Sequence, residues 1–286
     1  SSFDLPHRNA DAYLRDATLD GTAFVKTGPG AEIFLSTDRD PAGLFRWMPQ
    51  ALVYGFWQSH LGKKRQQSKL ARAWSSTIVG YDPASIENTV RGLKGDPFNL
   101  SITEAVQVPS EDDELDWTLT DTAKAKARKS GDSLAEIGHG QVPVASKAGP
   151  LSFAAIEQRA TISFPRLRTI VAGDAEANAA GRALLAAIAL AGHTFAFGRA
   201  MSLRSGCDLR PVAVSWTWLG ADRDEAIDPL TPNAAVELVR ACARRAEQAG
   251  LPVGSQWATE PLRLDPGREL AKAIASSWPL SWPEVA

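Results

Sequence analysis

The sequence predicts an α+β fold, and three observations support this prediction. The chain has 286 residues, of which 44% are hydrophobic, so it can bury the core of one large domain. Strand-like runs are separated by helix-like runs, and no segment repeats in tandem. We therefore expect a single domain over residues 1–286, with an inserted excursion at about 105–150.

The N-terminal half is predicted to begin with a β-hairpin. Two β-prone runs, Thr22–Thr27 and Ala31–Ser36, flank the turn-forming sequence Gly28-Pro29-Gly30. Ser68–Val79 carries apolar residues at helical spacing and is predicted to be a helix. Ile102–Val108 alternates in hydrophobicity, which indicates a strand.

The C-terminal half contains two well-delimited helix signals. Asn178–Arg199 is apolar nearly all round, which predicts a buried or well-covered helix. Thr231-Pro232 is a helix start and Gly250 a helix stop. The other elements predicted after Val108 are two irregular segments, two strands and a helix. The irregular segments are an exposed stretch at Glu111–Asp132, helical around Thr122–Lys129, and a loop at Gly138–Pro150. The strands are Leu151–Phe164 and Leu209–Leu219, the second with Trp216 and Trp218 on one face, and the helix lies near Glu269–Ser276.

Composition and cysteine usage argue against several classes of protein. The longest purely apolar run, Ala183–Ala191, is shorter than the roughly 20 residues that span a bilayer, and no signal pattern opens the sequence. We expect a cytoplasmic protein without a membrane partner. Cys207 and Cys242 form no CxxC pair and lie near no histidine cluster, so neither a disulfide framework nor a zinc site is predicted. No cofactor is expected.

The charges of the chain are strongly segregated. The net charge of -2 would usually count against nucleic-acid binding, yet residues 41–81 contain six basic residues and no acid. The six are Arg46, Lys63, Lys64, Arg65, Lys69 and Arg72. Acids form two blocks, which are Glu111, Asp112, Asp113, Glu114, Asp116 and Asp121, and then Asp222, Asp224, Glu225 and Asp228. Such a chain can bind a polyanion while its copies attract one another head to tail, although charge runs can also be ordinary solvated surface.

The predicted helix would present cations along one face. At 100° per residue from Arg65, one group of side chains falls within about 60° and an apolar group lies opposite. The first group is Arg65, Lys69, Arg72 and Ser76, and the second is Leu70, Trp74 and Ile78. Such a face would hold a nucleic-acid backbone without reading bases, and the alternative is an ordinary amphipathic surface helix. A P-loop is excluded because Lys64, rather than Ser or Thr, follows Gly62-Lys63.

Four stretches, in order along the chain, carry motifs of a known family, and the first stretch holds two of them. Gly55-Phe56-Trp57-Gln58-Ser59 is similar to GxWDS, and SKLARAWSSTIVGYD at Ser68–Asp82 is similar to AKFARALVSEIVGYD. RGLKGDPFNL at Arg91–Leu100 resembles an RxDPL element, and LAEIGHGQVP at Leu134–Pro143 resembles LSEIGHGNVP. LRSGCDLRPV at Leu203–Val212 resembles LRSRCLLVP. With these motifs the chain resembles the RAMP-superfamily backbone subunit of type I-G (formerly I-U) CRISPR effectors. The match departs from the family at Gln58, where the motif has Asp, and at the N-terminal QPTGFPDLG element, which Val25-Lys26-Thr27-Gly28 represents at best.

The resemblance implies an RRM/ferredoxin-like palm with inserted finger and thumb elements. It implies a non-catalytic subunit that grips the sugar-phosphate backbone of a CRISPR guide RNA and oligomerises along it, as part of a complex that recognises target DNA. The expected partners are the guide RNA, target DNA, further copies of the chain and other subunits of the effector complex. The residues expected at the RNA interface are Lys26, Lys63, Lys64, Arg65, Gln66, Ser68, Lys69, Arg72, Ser76, Arg91, Lys94, His139 and Arg204.

Two further functions stay open at the level of sequence. Related subunits of type III complexes cut target RNA, so the chain could be a metal-dependent ribonuclease that uses Asp96 or an acid of the 111–116 block. It could also be an interaction domain unrelated to RNA. His139 lies between two glycines with Glu136 three residues earlier, but no second histidine or carboxylate pair completes a catalytic or metal site. We expect His139 to contact a base or a ribose 2′-hydroxyl, and Trp57 to be a candidate for base stacking.

Overall fold

The computed structural model describes residues 12–61, 66–85, 105–109, 117–121, 132–133, 151–204, 207–257 and 261–277. The helices in these ranges are α1 (Ala12–Arg15), α2 (Gly28–Leu35), α3 (Ala42–Trp47), α4 (Pro49–Tyr54), α5 (Phe164–Leu167), α6 (Ala175–Phe197), α7 (Pro232–Gln248) and α8 (Arg268–Ser277). The strands are β1 (Ala17–Leu19), β2 (Thr22–Ala23), β3 (Phe56–Leu61), β4 (Gln66–Leu70), β5 (Trp74–Ser85), β6 (Ala105–Pro109), β7 (Trp117–Asp121), β8 (Asp132–Ser133), β9 (Leu151–Ile162), β10 (Met201–Arg204), β11 (Cys207–Leu209), β12 (Trp216–Leu219), β13 (Asp224–Ile227) and β14 (Asp265–Pro266). The mixture of helices and small antiparallel sheets confirms the predicted α+β class.

The strands pair in two- and three-stranded sheets within the part of the chain that the structure describes. The strand orders are β14-β1-β2, β3-β4, β5-β9, β7-β6-β8, β10-β11 and β12-β13. The RRM/ferredoxin-like palm with fingers and a thumb stays a prediction.

The chain divides into two compact units, whose boundary passes through β5, β9 and α8. The first unit comprises residues 1–77 and 158–271, and the second comprises residues 78–157 and 272–286. The second unit contains the range 105–150, in which the sequence predicts a thumb-like excursion. The strand predicted at Ile102–Val108 is present there as β6, and the predicted Thr122–Lys129 helix and Gly138–Pro150 loop lie outside the described residues.

The core of the first unit surrounds α6. Leu184 and Leu185 on this helix are fully buried, and Phe45 of α3 and Leu52 of α4 belong to the same apolar cluster. By length and composition α6 could cross a membrane, but its packing in this cluster makes it the buried helix that the sequence predicts. Asp174 caps its start by accepting a hydrogen bond from the backbone N–H of Ala177 at 2.9 Å.

Helix α7 packs against α6 and has the predicted ends. The Thr231 hydroxyl accepts a hydrogen bond from the backbone N–H of Ala234 at 3.2 Å, and proline follows the cap. Gly250 has a φ of 87°, a left-handed conformation that glycine adopts without strain. The strand predicted at Leu151–Phe164 is present as β9, which ends at Ile162 because Phe164 begins α5, and the helix predicted near Glu269–Ser276 is present as α8.

Two predictions of local structure outside the basic segment were wrong. Thr22–Ser36 is not a hairpin, because only Thr22 and Ala23 pair as a strand and Gly28–Leu35 forms α2. The Thr27 hydroxyl accepts a hydrogen bond from the N–H of Gly30 and Pro29 lies in the first turn, so the Gly-Pro-Gly sequence starts a helix. Leu209–Leu219 is not one strand, since β11 ends at Leu209 and β12 begins only at Trp216.

Candidate nucleic-acid interface

The segment with the highest basic charge is a β-hairpin. Strands β3 and β4 pair antiparallel, with Phe56 opposite Leu70 and Trp57 opposite Lys69. The sequence Gly62-Lys63-Lys64-Arg65 joins them and lies outside the described residues. The chain therefore brings Lys69 of β4 and the basic joining sequence into one supersecondary element.

The two faces of this hairpin differ in chemistry. Phe56 and Leu70 are 2% and 7% exposed and belong to the core of the first unit. Because side chains alternate along a strand, Trp57 and Lys69 project from the opposite face. Trp57 is half-buried and Lys69 is exposed. This outer face thus combines a large aromatic side chain with a cation, which are the two groups that hold single-stranded nucleic acid.

Gly55 and the core fix the position at which the β3–β4 hairpin begins. Gly55 separates α4 from β3 with a φ of 94°, where a side chain would be strained. A Cβ at this position would also lie 3.3 Å from the carbonyl oxygen of Leu70. The hairpin therefore leaves the core at a defined place, immediately after α4.

The connection from β4 to β5 holds a second exposed cation. The N–H of Ala73 donates to the carbonyl of Val53 at 2.8 Å, and the N–H of Ser163 donates to the carbonyl of Ala73 at 2.7 Å. Arg72 lies just before this anchored residue and is exposed. Among the described residues neither Lys69 nor Arg72 has a side-chain ion pair, so both can meet an outside anion.

Arg166 is a residue that the sequence analysis missed. Its Nε donates to the carbonyl oxygen of Ala71 at 3.0 Å, and one terminal nitrogen donates to the hydroxyl of Thr169 at 2.9 Å. The guanidinium therefore adds positive charge beside the β4–β5 connection. No local signal could have identified it, because Arg166 and Ala71 are 95 residues apart in sequence.

The predicted basic helix over Ser68–Val79 was wrong. The segment contains the end of β4, a short connection and the start of β5. β-Branched residues at Thr77, Ile78 and Val79 favour a strand, and β9 supplies the partner that makes it stable. The cation face therefore does not exist as a helical face. Lys69 lies on β4, Arg72 lies in the connection and Ser76 lies on β5.

The other predicted interface residues that the structure describes lie in several elements. Lys26 is exposed at the end of a 3-10 turn, and the hydroxyl of Ser76 accepts a hydrogen bond from the side-chain amide of Gln158 at 2.8 Å. Gln66 and Ser68 lie on β4 together with Lys69, whereas Arg204 lies on β10. The predicted residues outside the described ranges are Lys63, Lys64, Arg65, Arg91, Lys94 and His139. Within those ranges the chain has no group of three His, Cys, Asp or Glu residues placed to hold a metal ion.

Comparison with protein families identifies the system to which the N-terminal region is related. Residues 1–84 match the family described as CRISPR-associated protein GSU0053. This match indicates a CRISPR-associated protein. It covers 84 of the 286 residues and ends within β5, so it includes the whole β3–β4 hairpin and the β4–β5 connection.

The family match includes two of the segments that resemble the RAMP subunit, Gly55–Ser59 and Ser68–Asp82. The match also includes the N-terminal residues, where the resemblance to the RAMP subunit is weakest, whereas the segments at 91–100, 134–143 and 203–212 lie outside it. No curated protein and no solved structure matches the chain significantly. The comparisons support a role in CRISPR defence together with other components of a CRISPR system.

Proposed function

We propose that this protein is a non-catalytic, cytoplasmic backbone subunit of a type I CRISPR effector complex. In this role several copies bind the sugar-phosphate backbone of one guide RNA and oligomerise along it, and the assembly recognises target DNA. The proposal combines the CRISPR-associated match of residues 1–84 with the resemblance to the RAMP subunit of type I-G complexes.

The observation that carries the proposal is the chemistry of the β3–β4 hairpin. Its outer face places Trp57 opposite Lys69, and its joining sequence adds Lys63, Lys64 and Arg65. No acid lies anywhere in residues 41–81 to neutralise these cations. Cations next to an aromatic ring favour an extended single strand, because phosphates meet the charges while a base stacks on the ring.

The hairpin favours binding that is independent of base sequence. Lysine and arginine side chains contact phosphates, which are the same at every nucleotide, and a tryptophan ring stacks on any base. A subunit that coats a guide needs this property, because the guide sequence differs from one spacer to the next. The proposed interface therefore fits a subunit that leaves sequence recognition to base pairing.

The test is the salt dependence of single-stranded RNA binding by the full chain. Fluorescence anisotropy with RNAs of unrelated sequence should give similar affinities, and affinity should fall steeply as salt rises. In a variant with Lys63, Lys64, Arg65, Lys69 and Arg72 replaced by alanine, each lost phosphate contact should remove roughly 0.7 from the slope of log K against log salt.

A matched control separates this interface from general surface charge. Arg39 and Arg263 are exposed and lie outside the β3–β4 hairpin. The variant Arg39→Ala/Arg263→Ala should keep the slope of the unmodified protein. An equal slope in the five-residue variant and the unmodified protein would refute the interface, and absence of RNA binding by the unmodified protein would refute the function.

A further inference from the structure

The hairpin formed by β12 and β13 presents an uncovered face. Trp216 pairs with Ile227, and Leu219 pairs with Asp224. Trp216 and Trp218 lie on the face turned towards α6 and α5 of the same unit, where their rings lie 5.8 Å from the His193 ring and 4.9 Å from the Phe164 ring. Trp218 is nevertheless 49% exposed. Alternation puts Leu219 and Asp224 on the opposite face, and Leu219 is 68% exposed.

The same hairpin is strongly acidic. Between residues 222 and 228 four acids and one arginine give a charge of -3. The acids are Asp222, Asp224, Glu225 and Asp228, all of them exposed. None of the four has a side-chain ion pair within the ranges that the structure describes. An exposed leucine inside an unneutralised acidic rim has the composition of a protein-binding surface rather than of a nucleic-acid-binding one.

Helix α7 presents a surface of the opposite charge. Ala235, Ala243 and Ala246 are buried on one side of the helix, which packs against α6. At 100° per residue, the exposed Arg240, Arg244 and Arg245 lie within about 140° on the other side. Arg240 pairs with Glu237 at 2.8 Å, whereas Arg244 and Arg245 have no ion pair among the described residues.

The two surfaces do not neutralise each other within one chain. No hydrogen bond or ion pair joins the β12–β13 hairpin to α7 in the described part of the protein. Every copy carries both surfaces, so the acidic hairpin of one copy can meet the arginine face of a second copy. A contact between two different patches of identical chains is heterologous, and it can be repeated from copy to copy.

We propose that the acidic β12–β13 hairpin of one copy docks on the arginine face of α7 of a second copy. Leu219 loses contact with water at the centre of this interface, while Asp224, on the same face, and Asp222, in the connection between β12 and β13, meet Arg244 and Arg245 at its rim. The inference names the self-association surface of the proposed function and therefore rests on it. Two acidic hairpins repel each other, and so do two arginine faces. The charges therefore select the contact of one copy's hairpin with another copy's α7.

Reversal of charge on each surface tests the interface. The hairpin variant is Asp222→Lys/Asp224→Lys, and the helix variant is Arg244→Glu/Arg245→Glu. Light scattering of the full chain on single-stranded RNAs of increasing length should show mass that rises by one subunit per length increment. Each variant alone should raise the concentration needed for this assembly at least tenfold.

Restoration of assembly is the more demanding part of the test. An equimolar mixture of the two variants should assemble, because each surface then meets a reversed partner in the other chain. A chain that carries all four reversals should also assemble. The control Arg39→Glu/Asp40→Lys reverses two exposed charges elsewhere and should leave assembly unchanged.

The outcomes separate this interface from the function on which it rests. All variants should bind an RNA that is long enough for one copy as tightly as the unmodified chain does, and thermal unfolding should show that they are folded. Failure of the unmodified protein to bind RNA would contradict the proposed function. In that case sedimentation of the protein without RNA still tests the interface, because it measures self-association directly. The docking of hairpin on helix would be overturned if the charge reversals left assembly unchanged. It would also be overturned if neither the mixture nor the fourfold variant restored assembly. Unmodified chains that associate neither with nor without RNA would overturn it as well.

Discussion

Trp57 and Lys69 stand directly opposite each other across the β3–β4 hairpin, on the face that points away from the core. Their neighbours Phe56 and Leu70 pair on the core face, so the same two strands that anchor the hairpin also present the aromatic-cationic pair. Packing of the inner face thereby holds the outer face in position for a ligand.

The Trp57 ring should contribute to binding of single-stranded RNA. Stacking of one base on an aromatic side chain is worth about 1–3 kcal/mol, so Trp57→Ala should weaken binding by about 5- to 150-fold, whereas Trp57→Phe should retain most of the affinity. Anisotropy titrations at one salt concentration measure this. Unchanged affinity in a Trp57→Ala protein that still unfolds at the temperature of the unmodified chain would exclude stacking on Trp57.

The protein should not cut RNA or DNA. Cleavage requires clustered carboxylates that hold divalent metal, or an acid and a base on opposite sides of the phosphate. We expect no products when the protein and its guide are incubated with complementary RNA, or with DNA, in Mg²⁺ or Mn²⁺. Regularly spaced cuts that Asp96→Ala or His139→Ala abolishes would instead place the protein among the ribonucleases.

His193 should make the protein less stable in mild acid. Its ring lies 5.3 Å from the Phe197 ring and 6.3 Å from the Trp74 ring, and its Nδ1 atom is buried without a hydrogen-bond partner in the described structure. Burial lowers the pKa of His193 below 6.5. Between the folded and unfolded pKa values the unfolded chain binds more protons, so the free energy of unfolding decreases as pH falls from about 6.5.

The variant His193→Phe should remove this part of the pH dependence, because phenylalanine fits the aromatic cluster and carries no titrating group. Urea unfolding at pH 8 and pH 5 should show a smaller loss of stability for the variant than for the unmodified chain. The difference between the two proteins cancels the titration of other groups. Equal losses would show that His193 does not take up a proton on unfolding.

Gly43 should be required for the contact between α2 and α3. A Cβ at this position would overlap the backbone carbonyl of Glu32, which cannot move without shifting α2. Gly43→Ala should therefore lower the free energy of unfolding by about 1–3 kcal/mol. Gly28→Ala is the matched control, because a Cβ there has no neighbour within 4 Å and should cost little. Similar stabilities of the two variants would contradict the close approach of these helices.

Local sequence was sufficient for the elements whose signals lie within a few residues. Helix α7 has a threonine cap, a proline in its first turn and a left-handed glycine just after its end, and each acts through its immediate neighbours. The all-round apolar character of α6 likewise predicted its burial. The segregation of basic charge into residues 41–81 was also visible in the sequence, before any fold was known.

Tertiary structure decided how that charge is displayed. Residues 68–79 have an apolar pattern that suits a helix, but β5 pairs with β9 and β4 pairs with β3, so the segment is extended. Arg166 joins the β4–β5 connection from 95 positions away. A helix forms its backbone hydrogen bonds within its own segment, whereas a strand needs a partner, and no pattern inside residues 68–79 could reveal that β9 is that partner.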